Sequence, residues 1–463
     1  MAQAFSSPHV DNVPGKRCLH PFRENSGIIR YENKCEFFVR NKSLKIAVEL
    51  ILVEEVDRKY LQGNLKMITD KNFLMPILPA EIPDDIFAMA SSLPERGAFL
   101  DGRLAPATRA ALASLLEVTN TYYSNLIEGQ YSSPADLQQA LSVPKRERKQ
   151  LNELAARQIK VQKIMERFVE MLPSGSRWSW MLSPQCISIS HKALFRDIPQ
   201  DLLQIAHSDR RLIPGRIRSE SDEQVRVGHH LAPDAAVVEP MLKLMQTWIA
   251  RIEDPRMRLV ATMAYHHRLA WVHPFMDGNG RLVRLVTHLQ LRHLGLRSNL
   301  WSISRGLARR QQDYYACMAN ADRPREGDLD GRGQLSLKHY IGFIRFMFEV
   351  SLDQVEYMID ALDTRKLRSR IDRCFISNER LLERKVRRTS AAAVHALLTQ
   401  GTMPRATFKT FLGISERLAI EELKVLQSLG LVLSASPKAR EVSIGLPVWF
   451  AQEIFPDLHR RFA

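Results

Sequence analysis

At 463 residues the chain is longer than one hydrophobic core usually supports, and 45% apolar with 25% charged residues is ordinary globular composition, so two or three folded units are expected and a fibrous or wholly disordered chain is excluded. The net charge of +15, from 66 Lys and Arg against 51 Asp and Glu, suits a polyanionic partner, either nucleic acid or a phosphorylated ligand, or else solvated helix faces such as "KRERK" at 145–149. The strongest apolar run near the N-terminus, "KIAVELILVEEV", is too short and acidic to span a bilayer, and Cys18, Cys35, Cys186, Cys317 and Cys374 lie far apart without CxxC spacing, so a cytoplasmic protein with reduced thiols and no membrane partner is expected.

Residues 1–74 show little sustained periodicity and are expected to form a poorly defined N-terminal extension. Prolines 76, 79 and 83 in "FLMPILPAEIPDD" then mark an extended entrance to the folded part, because each biases its predecessor away from the helix. A helical region is expected over 75–150. There "APATRAALASLLEVTNTYYSNLIEG" places Leu112, Leu115, Leu116, Tyr122 and Tyr123 at helical spacing and stops at Gly129, and a further helix spans 134–141. The next unit, 151–363, contains "LNELAARQIKVQKIMERFVEML", "AAVVEPMLKLMQTWIARI" and "RMRLVATMAYHHRLAWV", each with the three-and-four spacing of core helices in a bundle. Between them, in "GRIRSESDEQVRVGHHLAPD", Ile217 alternates with Arg216 and Arg218, and Val225 and Val227 bracket Arg226 across a polar turn. That pattern predicts a β-hairpin lying on the helices as a flap. The fold class is therefore mainly α.

One stretch of twelve residues, "HPFMDGNGRLVR" at 273–284, concentrates chemistry. The helical pattern breaks at Pro274 and resumes in "RLVRLVTHLQLRHLGL", so the stretch is a loop between two helices. Gly278 and Gly280 around Asn279 permit close approach, and the loop opens a helix whose unpaired first amides favour phosphate. Arg281 and Arg284, three apart in the first turn, share a face and add charge-assisted contacts to the same anion. Asp277 supplies the hard oxygen that a phosphate-bound Mg2+ needs, and His273 can accept a proton near neutral pH. Together these describe transfer from a nucleotide; no Walker-type GxxxxGK and no HExxH is present.

The stretch resembles the Fic family signature, HPFx(D/E)GNGRxxR, at every fixed position, and the resemblance runs from about residue 75 to 360, through "VRVGHH" and "SISRGLARRQQDYYACMANADRPREGDLDGRGQLSLKHYIGF". It implies an α-helical Fic core, 151–363, that transfers AMP from ATP to a protein hydroxyl and releases pyrophosphate. By position, His273 would deprotonate the Ser, Thr or Tyr hydroxyl of the target, or of the protein itself, and Phe275 would anchor the loop. Asp277 would hold Mg2+, Gly278, Asn279 and Gly280 would line the phosphate site, and Arg281 and Arg284 would engage the polyphosphate. "YYACMANAD" resembles the segment packed around adenine and ribose, making Tyr314, Tyr315 and Asp322 nucleotide-binding candidates, although the family often has asparagine at the last position and core packing accounts equally for the tyrosines. "SNLIEG", Ser124 to Gly129, resembles the inhibitory motif (S/T)xxxE(G/N), whose glutamate, here Glu128, would pair with Arg284 and keep the γ-phosphate from seating. The flap would hold the target segment by strand addition.

The C-terminal unit, 364–463, begins with a basic link: ten Lys or Arg against three Asp or Glu between 364 and 403. Phe408, Phe411 and Leu412 then close one helix, Gly413 makes a turn, and Ser415 can cap a second helix that buries Leu418, Ile420, Leu423 and Leu426. "LGLVLSASPKAREVSIGLP" reads as two short strands around a polar turn, completing a winged helix-turn-helix pattern. Arg417, Lys424, Lys438 and Arg440 could meet DNA phosphates, whereas Glu416, Glu421 and Glu422 on the exposed side oppose a DNA backbone and favour a protein-contact or homodimerisation role.

Two functions from different classes follow, an AMP transferase and an ATP-sensing DNA-binding regulator. Within the first, phosphate transfer as in the Doc-like branch goes with a lysine where this chain has Gly280, which argues against it. UMP transfer, phosphocholine transfer and AMP removal stay open. His229, His230, His266 and His267 lack convergent ligand spacing for a metal, and "GDLDGRG" lacks the later ligand positions of a calcium loop.

Overall fold

The computed structural model describes residues 67–142, 150–205 and 209–460. The chain divides into two units, residues 1–65 and 66–463, and everything described belongs to the second; most of the N-terminal extension and the "KRERK" cluster lie outside the described residues. The architecture is mainly helical with two small antiparallel sheets, and among the described residues no helix is long and apolar enough to cross a membrane.

Helices α1 (Asp84–Gly102), α2 (Pro106–Ile127) and α3 (Pro134–Ser142) come first. α2 starts on proline, whose missing N–H costs nothing there, and stops at Glu128 because Gly129 takes the left-handed turn at φ 71°. Every residue from Leu115 to Ile127 is buried, so α2 is a core helix rather than an amphipathic surface one. α4 (Gln150–Met171), α5 (Ser174–Met181) and α6 (Pro184–Phe195) follow, then the hairpin β1 (Arg226–Val227) and β2 (His230–Leu231), then α7 (Ala235–Ile249), α8 (Pro255–Val272), α9 (Asn279–His293), α10 (Ile303–Arg309), α11 (Gln311–Ala321) and α12 (Leu337–Ala361). One apolar cluster gathers α1, α2, α10 and α12; a second gathers α4 to α7 and α9. α8 feeds both, Val260 and Met263 into the first and Tyr265 and Leu269 into the second, which places the loop after it where the two cores meet.

The flap departs from the sequence expectation. Val227 pairs with His230 and Arg226 with Leu231 around Gly228, so the 216–218 segment is not a strand of this hairpin. The alternation around Ile217 misleads because Arg218, an outward residue in the strand reading, is buried.

The C-terminal part runs α13 (Thr364–Ser377), α14 (Glu379–Glu383), α15 (Ser390–Gln400), β3 (Thr402–Pro404), α16 (Arg405–Phe411), α17 (Glu416–Ser428), β4 (Val432–Leu433), β5 (Glu441–Ile444) and α18 (Val448–Ile454), with the strands in the order β3-β5-β4. Three details correct the sequence reading. Ile420 is 42% exposed, and Ala419, Leu423 and Leu426 form the buried side of α17. Glu422 is 3% exposed instead of solvated, since Arg387 Nη1 donates to it at 2.7 Å and Ser390 Oγ at 2.6 Å. Ser415 sits at the N-cap of α17 without a side-chain capping bond. This part is fastened along α2: Thr108 Oγ1 donates to Leu398 O at 2.6 Å, Tyr123 OH donates to Leu458 O and Arg460 O at 3.0 Å, and Thr119 Oγ1 lies 2.9 Å from His459 Nε2.

Candidate active site

α8 ends at Val272, and the chain reverses through His273 in a left-handed conformation, φ 50° and ψ 63°, which costs a non-glycine residue on the order of 1–3 kcal/mol and must be held by its surroundings. The reversal drives Phe275 into the core, where the His191 ring of α6 stacks on it at 3.7 Å, nearly parallel. His191 Nδ1 accepts from Gly215 N at 2.9 Å, so its Nε2 carries the proton and donates to Asp277 O at 3.0 Å. Burial pushes this imidazole down to about 4, keeping it neutral. Asn279 uses its amide on Phe275, accepting from the backbone N at 3.0 Å and donating to the carbonyl at 2.7 Å. Its side chain therefore braces the loop, and its backbone is what remains to face an anion.

Gly278, at φ 79°, caps α9, and a Cβ there would overlap Phe195. A Cβ on Gly280 would overlap Glu128 Oε1, so the Glu128 carboxylate lies directly against the glycine of the loop. Arg284 Nη2 donates to that carboxylate at 2.6 Å and to Ser124 O at 3.0 Å, and its Nε donates to Ser124 Oγ at 2.9 Å. Burial would raise the Glu128 carboxyl, but the Arg284 guanidinium outweighs it, with help from Arg281, and holds it below the usual range. Arg281 is buried with its Nε unpartnered, and a buried cationic donor without an acceptor fits a site built for an anion.

His273 Nδ1 lies 3.2 Å from Ala270 O and donates to it, which leaves Nε2 as the lone-pair nitrogen. Burial pushes this imidazole down to about 4, so it is neutral at physiological pH and able to take a proton. The Asp277 carboxylate is exposed and accepts from Gly278 N at 2.5 Å. Among the described residues no group of three or more His, Cys, Asp or Glu is arranged to hold a metal ion, so a cation here would rely on Asp277 and the phosphates of a nucleotide.

The remaining predicted residues have specific partners. Tyr314 is buried with its hydroxyl 2.9 Å from His266 Nε2. Tyr315 is half exposed, and its hydroxyl donates to Ile127 O at 2.7 Å, directly before Glu128. Asp322 Oδ1 lies 2.9 Å from His267 Nε2 and its Oδ2 3.7 Å from His230 Nδ1, which ties it to the foot of the flap. Sequence reasoning missed His191, whose only signal is a lone histidine in an apolar helix, and Arg218, whose guanidinium donates to His273 O at 2.8 Å.

Residues 182–291 match the model of the Fic/DOC family. Over 73 residues the chain is 33% identical to the protein adenylyltransferase Fic of Drosophila persimilis and, equally, to that of Drosophila pseudoobscura pseudoobscura; the match covers 16% of this chain and 14% of each relative. Among solved structures, a Fic family protein from Desulfovibrio desulfuricans G20 covers 79% of this chain and 97% of its own at 18% identity and a TM-score of 0.45. Fic-1 from C. elegans covers 61% and 74% at 16% identity and a TM-score of 0.41. The stretch that matches the Fic/DOC family model, residues 182–291, includes the whole of the 273–284 loop, and the chain spans only a small part of the length of the curated relatives it matches.

Proposed function

We propose that this chain is a protein adenylyltransferase that transfers AMP from ATP to a Ser, Thr or Tyr hydroxyl and restrains itself through Glu128. The observation that carries the reading is the seat of the Glu128 carboxylate, against Gly280 and paired with Arg284 at 2.6 Å, at the mouth of a helix N-terminus built for an anion. A γ-phosphate and Glu128 compete for the same guanidinium. With Glu128 displaced, Arg284 and Arg281 engage the polyphosphate, and the loop backbone at Gly278 to Gly280 orients it. His273 Nε2 takes the proton of the target hydroxyl, the hydroxyl oxygen bonds to the α-phosphorus, and the bond to pyrophosphate breaks with its electrons leaving on the departing oxygen. Asp277 would hold Mg2+, which neutralises phosphate charge. The flap edge pairs with the target segment, which reads backbone more than side chains.

The test is incorporation of α-labelled ATP, with Mg2+, into the protein and into a lysate. Label that appears with Glu128→Gly and vanishes in the Glu128→Gly, His273→Ala double variant supports the reading. Label that survives loss of His273 contradicts it.

We read residues 390–444 as a winged helix-turn-helix whose partner is protein, a second copy included, rather than DNA. On α17, Arg417 pairs with Glu421 at 3.4 Å, Lys409 of α16 pairs with Glu416 at 2.8 Å, and Ile420 stands exposed between them, a poor match to a phosphate backbone. Salt-dependent binding of the full chain to duplex DNA, with loss on Lys438→Ala and Arg440→Ala, would favour the regulator reading instead.

A further inference from the structure

The flap and the catalytic loop meet at one side chain that lies outside the signature. Arg218 is 1% exposed and uses its whole guanidinium on backbone carbonyls. Nε donates to His273 O at 2.8 Å, Nη1 to Glu223 O at 2.9 Å and Pro233 O at 3.2 Å, and Nη2 to Pro233 O and Val272 O, both at 3.2 Å. Those five bonds match the five N–H donors of the fork. The Arg218 amide adds a sixth, to Pro274 O at 2.9 Å.

The acceptors fall into two groups. Val272, His273 and Pro274 form the left-handed reversal that presents the base, while Glu223 and Pro233 flank the hairpin before β1 and after β2. The Glu223 carboxylate is turned to its own loop, accepting from Ser219 N at 2.9 Å and Glu220 N at 3.1 Å and pairing with Arg216, so it shapes the turn from which Arg218 enters. Burying a cation costs several kcal/mol, and an apolar side chain of similar volume fills space at least as well. What an apolar side chain cannot do is hold two loops in one fixed geometry through directional bonds.

We propose that Arg218 is a positioning residue that makes His273 and the flap hairpin one rigid unit, so that the base and the target-binding edge keep a fixed relation. It acts through the His273 backbone and the two stems of the hairpin. A second anchor, His230 Nε2 donating to Trp271 O at 2.8 Å, holds the far strand, so loss of Arg218 leaves the hairpin attached but free to pivot. Lysine, with three donors on a point charge, cannot serve this set of acceptors.

The catalytic part of this inference rests on His273 being the base of AMP transfer. Arg218→Lys and Arg218→Met are compared with Arg218 intact, all in the Glu128→Gly background of the full chain, by self-labelling with ATP and by amide hydrogen exchange. The expected result is a fall in the self-labelling rate at saturating ATP of roughly tenfold or more, with the KM for ATP within about twofold. Exchange rises together, by at least about tenfold, over 225–232 and 272–276, while α2 and α9 keep their protection. Where Arg218→Met does not fold, Arg218→Lys carries the same readouts. Unchanged exchange in both segments overturns the proposal whether or not AMP transfer is seen, and so does loss of protection throughout α2 and α9 together with ATP affinity, which makes Arg218 merely structural. Absence of label with Arg218 intact counts against the transferase reading alone, and the exchange result still decides the coupling.

Discussion

Glu128 and His273 border the same loop and are held by different means. Glu128 is fixed by charge, with Arg284 at 2.6 Å and Ser124 completing the guanidinium's contacts, so an anion of higher charge competes for the bond that holds it. His273 is fixed by buried bonds to backbone and by packing: its Nδ1 donates to Ala270 O, its carbonyl accepts from the enclosed Arg218, and Phe275, two residues on, is clamped by His191 and Asn279. No incoming phosphate competes for those contacts. On the proposed reading, the contrast separates the half of the site that an incoming phosphate would displace from the half that would stay.

Four measurements sharpen or break that contrast. The largest effect is expected at the fixed half: in the Glu128→Gly background, His273→Ala should lower AMP transfer on the order of 10²–10⁴-fold, the usual worth of a general base, read as initial rates of label incorporation. At the displaceable half, Glu128→Gly alone should raise transfer roughly ten- to a hundredfold, the equivalent of one charge-assisted hydrogen bond of about 1.5–3 kcal/mol. Glu128→Gln, which keeps the shape without the charge, should fall between.

The third prediction concerns pH. His266 and His459 are pushed by burial down to about 3, and His191 and His273 down to about 4, against about 6.5 in an unfolded chain. Below 6.5 the unfolded state binds more protons, so the stability these neutral histidines provide is full above 6.5 and is lost as pH falls toward 4. At pH 5 each contributes a loss of about 2 kcal/mol. The melting temperature should drop steeply between pH 6.5 and 5, whereas transfer by the folded Glu128→Gly protein, which needs His273 neutral, should hold across that window. A rate that halves near pH 6.5 would show an ordinary, solvated histidine. The smallest effect is expected where the helix that carries Glu128 meets the C-terminal part: Tyr123→Phe, which removes the donor to Leu458 O and Arg460 O, should lower stability by about 1–3 kcal/mol by thermal melting and leave transfer by Glu128→Gly within about twofold.

The helices and the loop were legible because their signals are local. Three-and-four spacing marks α2, α4, α7 and α8, and twelve adjacent residues spell the candidate anion site between α8 and α9. What escaped depends on partners distant in sequence. Arg218 reads as an outward strand residue because nothing nearby reveals that two of its acceptors, Val272 O and His273 O, lie beyond residue 270. His191 makes its contacts with Gly215, Phe275 and Asp277, and Glu422 is buried against Arg387 and Ser390. β3 escaped because Pro404 argues against a strand; it is tolerated because β3 lies at the edge of its sheet. The contact between the SNLIEG segment and Arg284 spans 156 residues, and it was reached through the resemblance of two short motifs rather than through periodicity.

The most direct test of the central claim is the initial rate of AMP transfer at saturating ATP and Mg2+ by the intact protein and by Glu128→Gly, with ATP binding measured on both. A rate at least about tenfold higher in the variant, with ATP bound by both proteins, is the predicted result. Equal rates with equal ATP binding would contradict it, because the carboxylate on Arg284 would then not stand in the way of the reaction.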